Sequence, residues 1–393
     1  MTNTSQNEYS SDYVTPAGET LLQTLEAIGM SQTELATRMD RPYKTINEII
    51  RNKTSITAET ALQLEQVLGI PASFWLKREQ RYREFLARLD EKQRLNNWVE
   101  WLKEIPIQLM MRRGWISAST DRSQQVLNAL KFFAVASPDA WQVLWESKEV
   151  AYRKSAALNS SFGAIAAWLR RGELEAREIE CAPYKDHAAF RDALVSIRAL
   201  TVQPVEFFQK ELVKLCANAG VAVVFVRELP NTGISGSTQW LAPTKALMQL
   251  SLRYKTDDHL WFTFFHEAGH ILLHGRREVF LETYGKERGQ EEVDDHEQAQ
   301  AQEEETDGRE REQEEHEANM FAANVLIPSA EWQQFIAQRS CRSKSSIEEF
   351  AKRVGIAPGI VVGRLQHEKL LPYHHCNDLK RRLQWITEEA ASE

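Results

Sequence analysis

The sequence predicts a mainly α-helical chain whose C-terminal part turns α+β, and three observations carry that expectation. Helical periodicity, punctuated by helix-start and helix-stop residues, begins at Thr15-Pro16 and continues to about Ala219. After Gly220 the pattern changes to a β-branched run, Val221 to Val226, followed by alternating segments near Ser235 to Leu241 and Ala246 to Leu252. A length of 393 residues with 42% apolar composition, at about 150 residues per domain, implies two to three domains rather than one core.

Taken in order, residues 1 to about 14 offer almost nothing to bury and read as a tail. Thr15-Pro16 opens a first helix that Gly29 closes. Ser31 with Glu34 forms a capping box for a short second helix with Leu35, Ala36 and Met39 on one face. Pro42 opens a third helix with Ile46, Ile49 and Ile50 inward, and Thr57 caps a fourth that ends at Gly69-Ile70-Pro71. From about residue 72 to Ala219 the reading stays helical, with Trp98, Trp101, Trp141, Trp145 and Trp168 on apolar stripes and no chemistry of its own. A helix follows the small sheet from about Asp257 to His274. Residues 286–313 form an acidic insertion, with twelve carboxylates against three arginines between Glu287 and Gln313. Such a stretch buries no core, so it is expected as a solvated, mobile insertion or as a charged arm extending the next helix. The segment Ile347 to Leu365 has a helix-break-helix spacing, but Gly359, Val361, Val362 and Gly363 mark it for packing rather than for reading bases.

Lys+Arg 48 against Asp+Glu 56 gives a formal charge of −8, which excludes a general polycation; any basic surface is local. Cys181, Cys216, Cys341 and Cys376 form no CxxC pair, which argues against a disulfide scaffold and fits a reducing cytosol. The polar start and the absence of an apolar run near ~18 residues disfavour secretion and membrane insertion.

The strongest chemical signal is His266-Glu267-Ala268-Gly269-His270. Histidines at i and i+4 share a helix face and reach one metal, while the intervening Glu addresses a water at that metal. Zinc needs a third protein ligand. His274 is eight residues from His266, about 12 Å along the helix, too far for all three to share an ion. A separate helix supplies the ligand: Glu315 is assigned, with Glu314 and His316 as competitors, and Asn319 one turn on is placed to orient a ligating imidazole. A zinc there would polarise a scissile carbonyl, with Glu267 as general base. Tyr254, His259 and His274 are the nearby candidates for an oxyanion donor. Without a metal, the same residues are polar positions on two ordinary helices.

Together GVAVVF from Gly220, FFHEAGHILLH at 264 to 274, and EHEANMFAA from Glu315 to Ala323 followed by LIP look like the ImmA/IrrE family of metallopeptidases, over about residues 205 to 370. The resemblance implies a zincin-like unit that typically cleaves a DNA-binding repressor, with His266, His270 and Glu315 as ligands and Glu267 as base. The acidic insertion between His270 and Glu315 departs from the family pattern.

Residues 31 to 51 carry helix-turn-helix spacing: a short capped helix, a tight break at Asp40-Arg41, then a helix with polar outward positions. Arg41, Tyr43, Lys44, Thr45, Asn47, Arg51 and Lys53 are the candidate contacts to bases and phosphates of duplex DNA. The runs TPAGETL, SQTELATRM, KTINEIIRNK and ITAETALQLEQVLGIPASFW resemble the XRE-type domain of HigA-like antitoxins over about residues 15 to 85. A homodimer would set two such helices one DNA turn apart on a pseudo-palindromic operator.

The expected organisation is a DNA-binding head at 15–85, a helical connector at 86–204, and a metallopeptidase domain at 205–386 carrying the 286–313 insertion. Function is expected to follow: a cytoplasmic transcriptional regulator that binds operator DNA and cleaves a repressor-type protein with zinc. The alternative is an antitoxin-like repressor whose peptidase fold serves only as a sensor or partner-binding surface.

Overall fold

The computed structural model describes residues 14–153, 162–230, 232–274, 280–283, 300–338 and 340–385. The chain divides into two compact units, residues 1–100 with 121–124, and residues 101–120 with 125–393.

The first unit is all-helical: α1 (Ala17–Ile28), α2 (Gln32–Arg38), α3 (Tyr43–Ile50), α4 (Ala58–Leu68) and the long α5 (Ala72–Asn97). Local chemistry sets the breaks. The Ser31 hydroxyl accepts the Glu34 amide at 3.1 Å and the Thr57 hydroxyl accepts the Thr60 amide at 3.2 Å, each satisfying an otherwise unpartnered helix-start donor. Asp40 sits at φ +50°, the left-handed conformation that turns the chain between α2 and α3. Leu21, Leu25, Leu35, Ile46, Ile49, Leu64 and Trp75 are buried together, so the inward positions of all five helices meet in one core.

The second unit holds α6 (Ile107–Arg112), α7 (Arg122–Phe133), most of which lies here, α8 (Pro138–Arg153), α9 (Phe162–Arg177), α10 (His187–Ala199) and α11 (Val205–Asn218). The sheet follows as β1 (Val221–Phe225), β2 (Ile234–Ala242) and β3 (Lys245–Leu250), then α12 (Asp257–Leu273), β4 (Phe280–Thr283), α13 (Gln300–Leu326), α14 (Ser329–Ile336), α15 (Lys344–Val354) and α16 (Pro358–His367). Strand order is β1-β3-β2-β4, with β1 and β3 parallel and β2 antiparallel to both neighbours. The mainly α chain with an α+β C-terminal part is therefore what the protein adopts.

One face of the sheet is covered by α9. The Trp168 indole N–H donates to the Val226 carbonyl at 3.0 Å, and the Gln249 amide donates to the Trp168 carbonyl at 2.8 Å. The expected connector segment thus lays a helix against the sheet. Trp101 and Phe133 each pack edge-on against Trp141, at 5.6 and 5.7 Å.

The other face carries α12. The sequence shows this helix with one apolar face and one functional face, yet His259, Phe262 and Leu273 are its only residues to escape full burial. The sheet lies against one side and α13 and α16 against others, so the polar residues are enclosed as well. Its start is clasped by the C-terminal segment: Asp257 accepts from the Arg381 guanidinium at 2.9 Å and from the Arg381 amide at 3.0 Å, while Asp258 pairs with Lys380 at 2.6 Å. Desolvation pushes the Asp257 carboxyl up from its usual value, against the pull of Arg381.

Of the acidic insertion, residues 300–313 lie in α13, the charged-arm alternative, and 286–299 fall outside the described residues. Glu, Gln, Ala and Arg are strong helix formers, which accounts for helix in a stretch so rich in charge. As the sequence indicates, α16 packs rather than reads: Val361 and Val362 are fully buried.

Candidate metal centre and nucleic-acid interface

α12 and α13 meet at Gly269 and Ala318. A methyl group at position 269 would lie 3.1 Å from the Ala318 Cα, so the absence of one lets the helices come this close. That approach carries Glu315 to the two histidines. His266 Nε2 and His270 Nε2 are 2.9 Å apart, and the Glu315 carboxylate oxygens lie 3.3 Å from the first and 3.6 Å from the second. These three ligand atoms form the one such cluster among the described residues.

The donor set fits zinc. Bonds of 2.0 to 2.2 Å in a tetrahedron place ligand atoms about 3.3 to 3.5 Å apart, and the three separations bracket that spacing. The outer nitrogens are also committed. His266 Nδ1 is 3.0 Å from the Asn319 side-chain oxygen, which requires an N–H there and leaves Nε2 with its lone pair toward the ion. His270 Nδ1 is 2.9 Å from His274 Nδ1, and His274 Nε2 is 3.4 Å from Glu317. A proton on His270 Nδ1 and another on His274 Nε2 complete a chain from the Glu317 carboxylate to the metal-facing nitrogen. Burial, reinforced by His266 and His274, holds His270 well below its ordinary pKa, in the neutral form a ligand needs.

Glu267 is fully buried between α12 and the sheet. The Thr238 hydroxyl of β2 donates to its carboxylate at 2.6 Å and also lies 3.3 Å from its carbonyl oxygen. Two residues earlier on the same strand face, Gly236 leaves the space for that carboxylate; a Cβ there would sit 2.6 Å from Glu267 Oε1.

In the first unit Tyr43 is half exposed, and Arg51 and Lys53 are exposed. The Lys44 side chain is 84% exposed, 3.8 Å from Glu48, so it can leave for a phosphate or base at little cost. Thr45 and Asn47 are half-buried, with the Asn47 amide 3.4 Å from the Gln32 side-chain oxygen of α2. The Arg41 guanidinium turns onto α4, bonded to Gln63 and 3.0 Å from Glu59.

Residues 218–366 match the peptidase family model described as the IrrE N-terminal-like domain. Residues 21–75 match the model described as helix-turn-helix. Over these residues the chain is similar to a helix-turn-helix DNA-binding domain and to an IrrE-like peptidase domain. It is 37% identical over 59 residues to virulence-associated protein A of Dichelobacter nodosus, a match covering 15% of this chain and 58% of that protein. Among solved structures, an addiction module antidote protein of the HigA family from Coxiella burnetii is similar at 28% identity, covering 21% of this chain and 92% of that one, with a TM-score of 0.20. Among the described residues no helix is long and apolar enough to cross a membrane.

Within the IrrE-like domain, the structure brings together His266, His270, Glu315, Asn319 and Glu267, whereas Glu314 is no member of the ligand cluster and His316 faces a neighbouring cavity. His274, set aside as a ligand by its distance along the helix, meets the centre through the outer nitrogen of His270. Tyr254 and His259 stack on each other at 4.2 Å. Sequence reasoning missed Thr238 and Glu317. Glu317 had a signal, two residues after Glu315 and facing the third histidine of HEAGHILLH, whereas Thr238 had none.

Proposed function

We propose that this chain is a cytoplasmic DNA-binding regulator whose IrrE-like domain is a zinc-dependent endopeptidase acting on a repressor-type protein. The supporting observation is a His266–His270–Glu315 donor set with both histidines buried, and with Glu267, on the same helix, held by Thr238, in a polypeptide that also matches a helix-turn-helix domain. The division of labour we assign is a head at 15–85 for the operator, a helical connector at 86–204 that also backs the sheet, and a catalytic domain at 205–386. Two copies on a pseudo-palindrome would use α3 of each head, with Tyr43, Lys44, Thr45, Asn47, Arg51 and Lys53 toward the DNA. Arg41 stays with α4 in this reading.

When bound, zinc supplies Lewis acidity toward a peptide carbonyl and toward water. His266, His270 and Glu315 hold it, and Asn319 and the His274–Glu317 pair fix the two imidazoles. Glu267 takes the proton of the attacking water and returns it to the leaving amide nitrogen; Thr238 keeps the carboxylate oriented for both transfers. A DNA-binding head on the same chain raises the effective concentration of the enzyme near repressors on the same promoter.

The test is to incubate wild-type and Glu267→Gln proteins with candidate repressors and with an inactive tagged copy of this chain, then map fragments by mass spectrometry. Cleavage by wild type alone is expected. Identical fragments from both, or none, would leave the non-catalytic repressor as the better reading.

A further inference from the structure

A cavity of about 380 Å³ lies between α12, α13 and α16, and none of His266, His270, Glu315 or Glu267 lines it. Its apolar wall is Phe262, Met320, Ala323, Leu326, Ile327 and Ile360. That volume is within the range of sites that enclose a small organic molecule. Lining residues Met320 and Tyr373 are 47% and 70% exposed, so the cavity opens to solvent on their side.

The charges on the wall decide what fits. Lys380 lies 2.6 Å from Asp258, and its ammonium also donates to the Gln366 side-chain oxygen at 2.8 Å. Arg364 lies 2.9 Å from Glu368 and donates to the Ala323 and Ile327 carbonyls at 3.1 Å each. Both cations are matched, so an ionised ligand finds no opposite charge to spare, whereas an apolar body loses water on entry and meets apolar side chains. Burial holds the His259 imidazole below its ordinary pKa, which keeps that wall residue neutral near pH 7. One polar atom is left over. Asp258 is 6% exposed; its Oδ2 takes Lys380, while its buried Oδ1 has no hydrogen-bond partner among the described residues. Gly363, on the same wall, leaves the room for this carboxylate, since a Cβ there would lie 2.6 Å from Asp258 Oδ2. A buried acceptor without a donor costs free energy that an incoming donor recovers.

We propose that this cavity binds a small, uncharged amphipathic molecule, with an apolar body against α13 and α16 and one O–H or N–H donor at Asp258 Oδ1. The proposal goes beyond the peptidase reading and holds whichever way the cleavage test falls, since no ligand atom of the metal centre takes part. The walls come from three helices and from residues 373–380, beside the Arg381 clasp on the start of α12, so the occupant ties these elements together and binds the folded chain alone.

The experiment titrates the full-length protein with 1-octanol, octyl methyl ether, octanoate and octylammonium, read by calorimetry and by melting temperature. 1-Octanol is expected to bind at one saturable site and, at ten times its Kd, to raise the melting temperature by about 3 to 6 °C. The ether, which has no donor, and the two ions are expected to bind ~10-fold or more weakly. Met320→Trp, which fills the mouth from an exposed position, is expected to abolish binding without moving the melting temperature of the free protein. Asp258→Asn removes the carboxylate and frees Lys380, so octanoate is expected to overtake 1-octanol; a merely structural role would weaken every probe alike. If that variant does not fold, the alcohol and ether compared on wild type carry the same test. No saturable binding of 1-octanol, binding that Met320→Trp leaves intact, or an ether or ion that binds wild type as tightly as the alcohol overturns the proposal.

Discussion

Replacing Thr238 with Val keeps the shape of the side chain and removes one hydroxyl, which makes it a clean probe of how Glu267 is held. Both residues are buried, and the bond between them is 2.6 Å long, within the range for a hydroxyl donating to a carboxylate. Losing a hydrogen bond to a charged, buried acceptor costs about 1.5 to 3 kcal/mol, and the matched volume leaves no cavity term to add. At 2 to 4 °C per kcal/mol for a unit of this size, the melting temperature should fall by about 3 to 12 °C. If the same loss is felt in the transition state, kcat/KM falls by ~10- to 150-fold. Thr238→Ser retains the hydroxyl and should recover most of the rate. In the Glu267→Gln background the Val substitution should cost less, with a coupling of about 0.5 to 3 kcal/mol in a double-mutant cycle. Calorimetry and peptide cleavage at equal zinc content measure the wild type and the four variants. A Thr238→Val protein that melts and cleaves as wild type does would refute the assignment of Thr238 as the group that positions Glu267.

Three further outcomes are expected. Purified wild type should hold about one zinc by elemental analysis; His266→Ala or Glu315→Ala should lose it, and Asn319→Ala should weaken it by ~10- to 100-fold in a chelator competition, because the His266 ring loses its anchor. Burial holds His270 and His259 below their ordinary pKa, so between the folded and unfolded values the unfolded chain binds more protons. The metal-free protein should therefore keep its full stability above about pH 6.5 and lose it as pH falls, by up to about 1.4 kcal/mol per pH unit for each histidine, which melting curves from pH 8 to 5 would reveal. In DNA binding by the intact protein, Arg51→Ala or Lys53→Ala should weaken all sequences alike and flatten the salt dependence by about one unit each, whereas Lys44→Ala or Asn47→Ala should relax specificity; Arg41→Ala should lower the melting temperature with little change in affinity.

Much of the site was legible because its key spacing is local. His266 and His270 are one turn apart on a single helix, and Glu315 and Asn319 repeat the same interval on a second, so one-dimensional periodicity implied a shared face on each. What periodicity cannot express is the partner of a face. Thr238 sits on a strand 29 residues before Glu267 in a stretch, Ser235 to Thr238, whose small polar residues carry no chemical signature. The burial of α12 on all sides was hidden for the same reason, since the enclosing surfaces come from β2, α13 and α16, far apart in sequence. His274 was judged only as a direct ligand, yet an imidazole has two nitrogens, and the second links it to the centre through His270. The partners of Arg41 on α4, Glu59 and Gln63, were hidden likewise, since they lie about twenty residues further along the chain.

The contact between Gly269 and Ala318 contains no ligand atom, yet it fixes the gap across which three ligand atoms converge. A methyl group there would wedge the two helices apart by a few tenths of an ångström and enlarge the grip on any ion. The ionic radius that the site accepts is therefore set by helix packing: widening this seam should favour a bulkier divalent cation over zinc without altering a single donor.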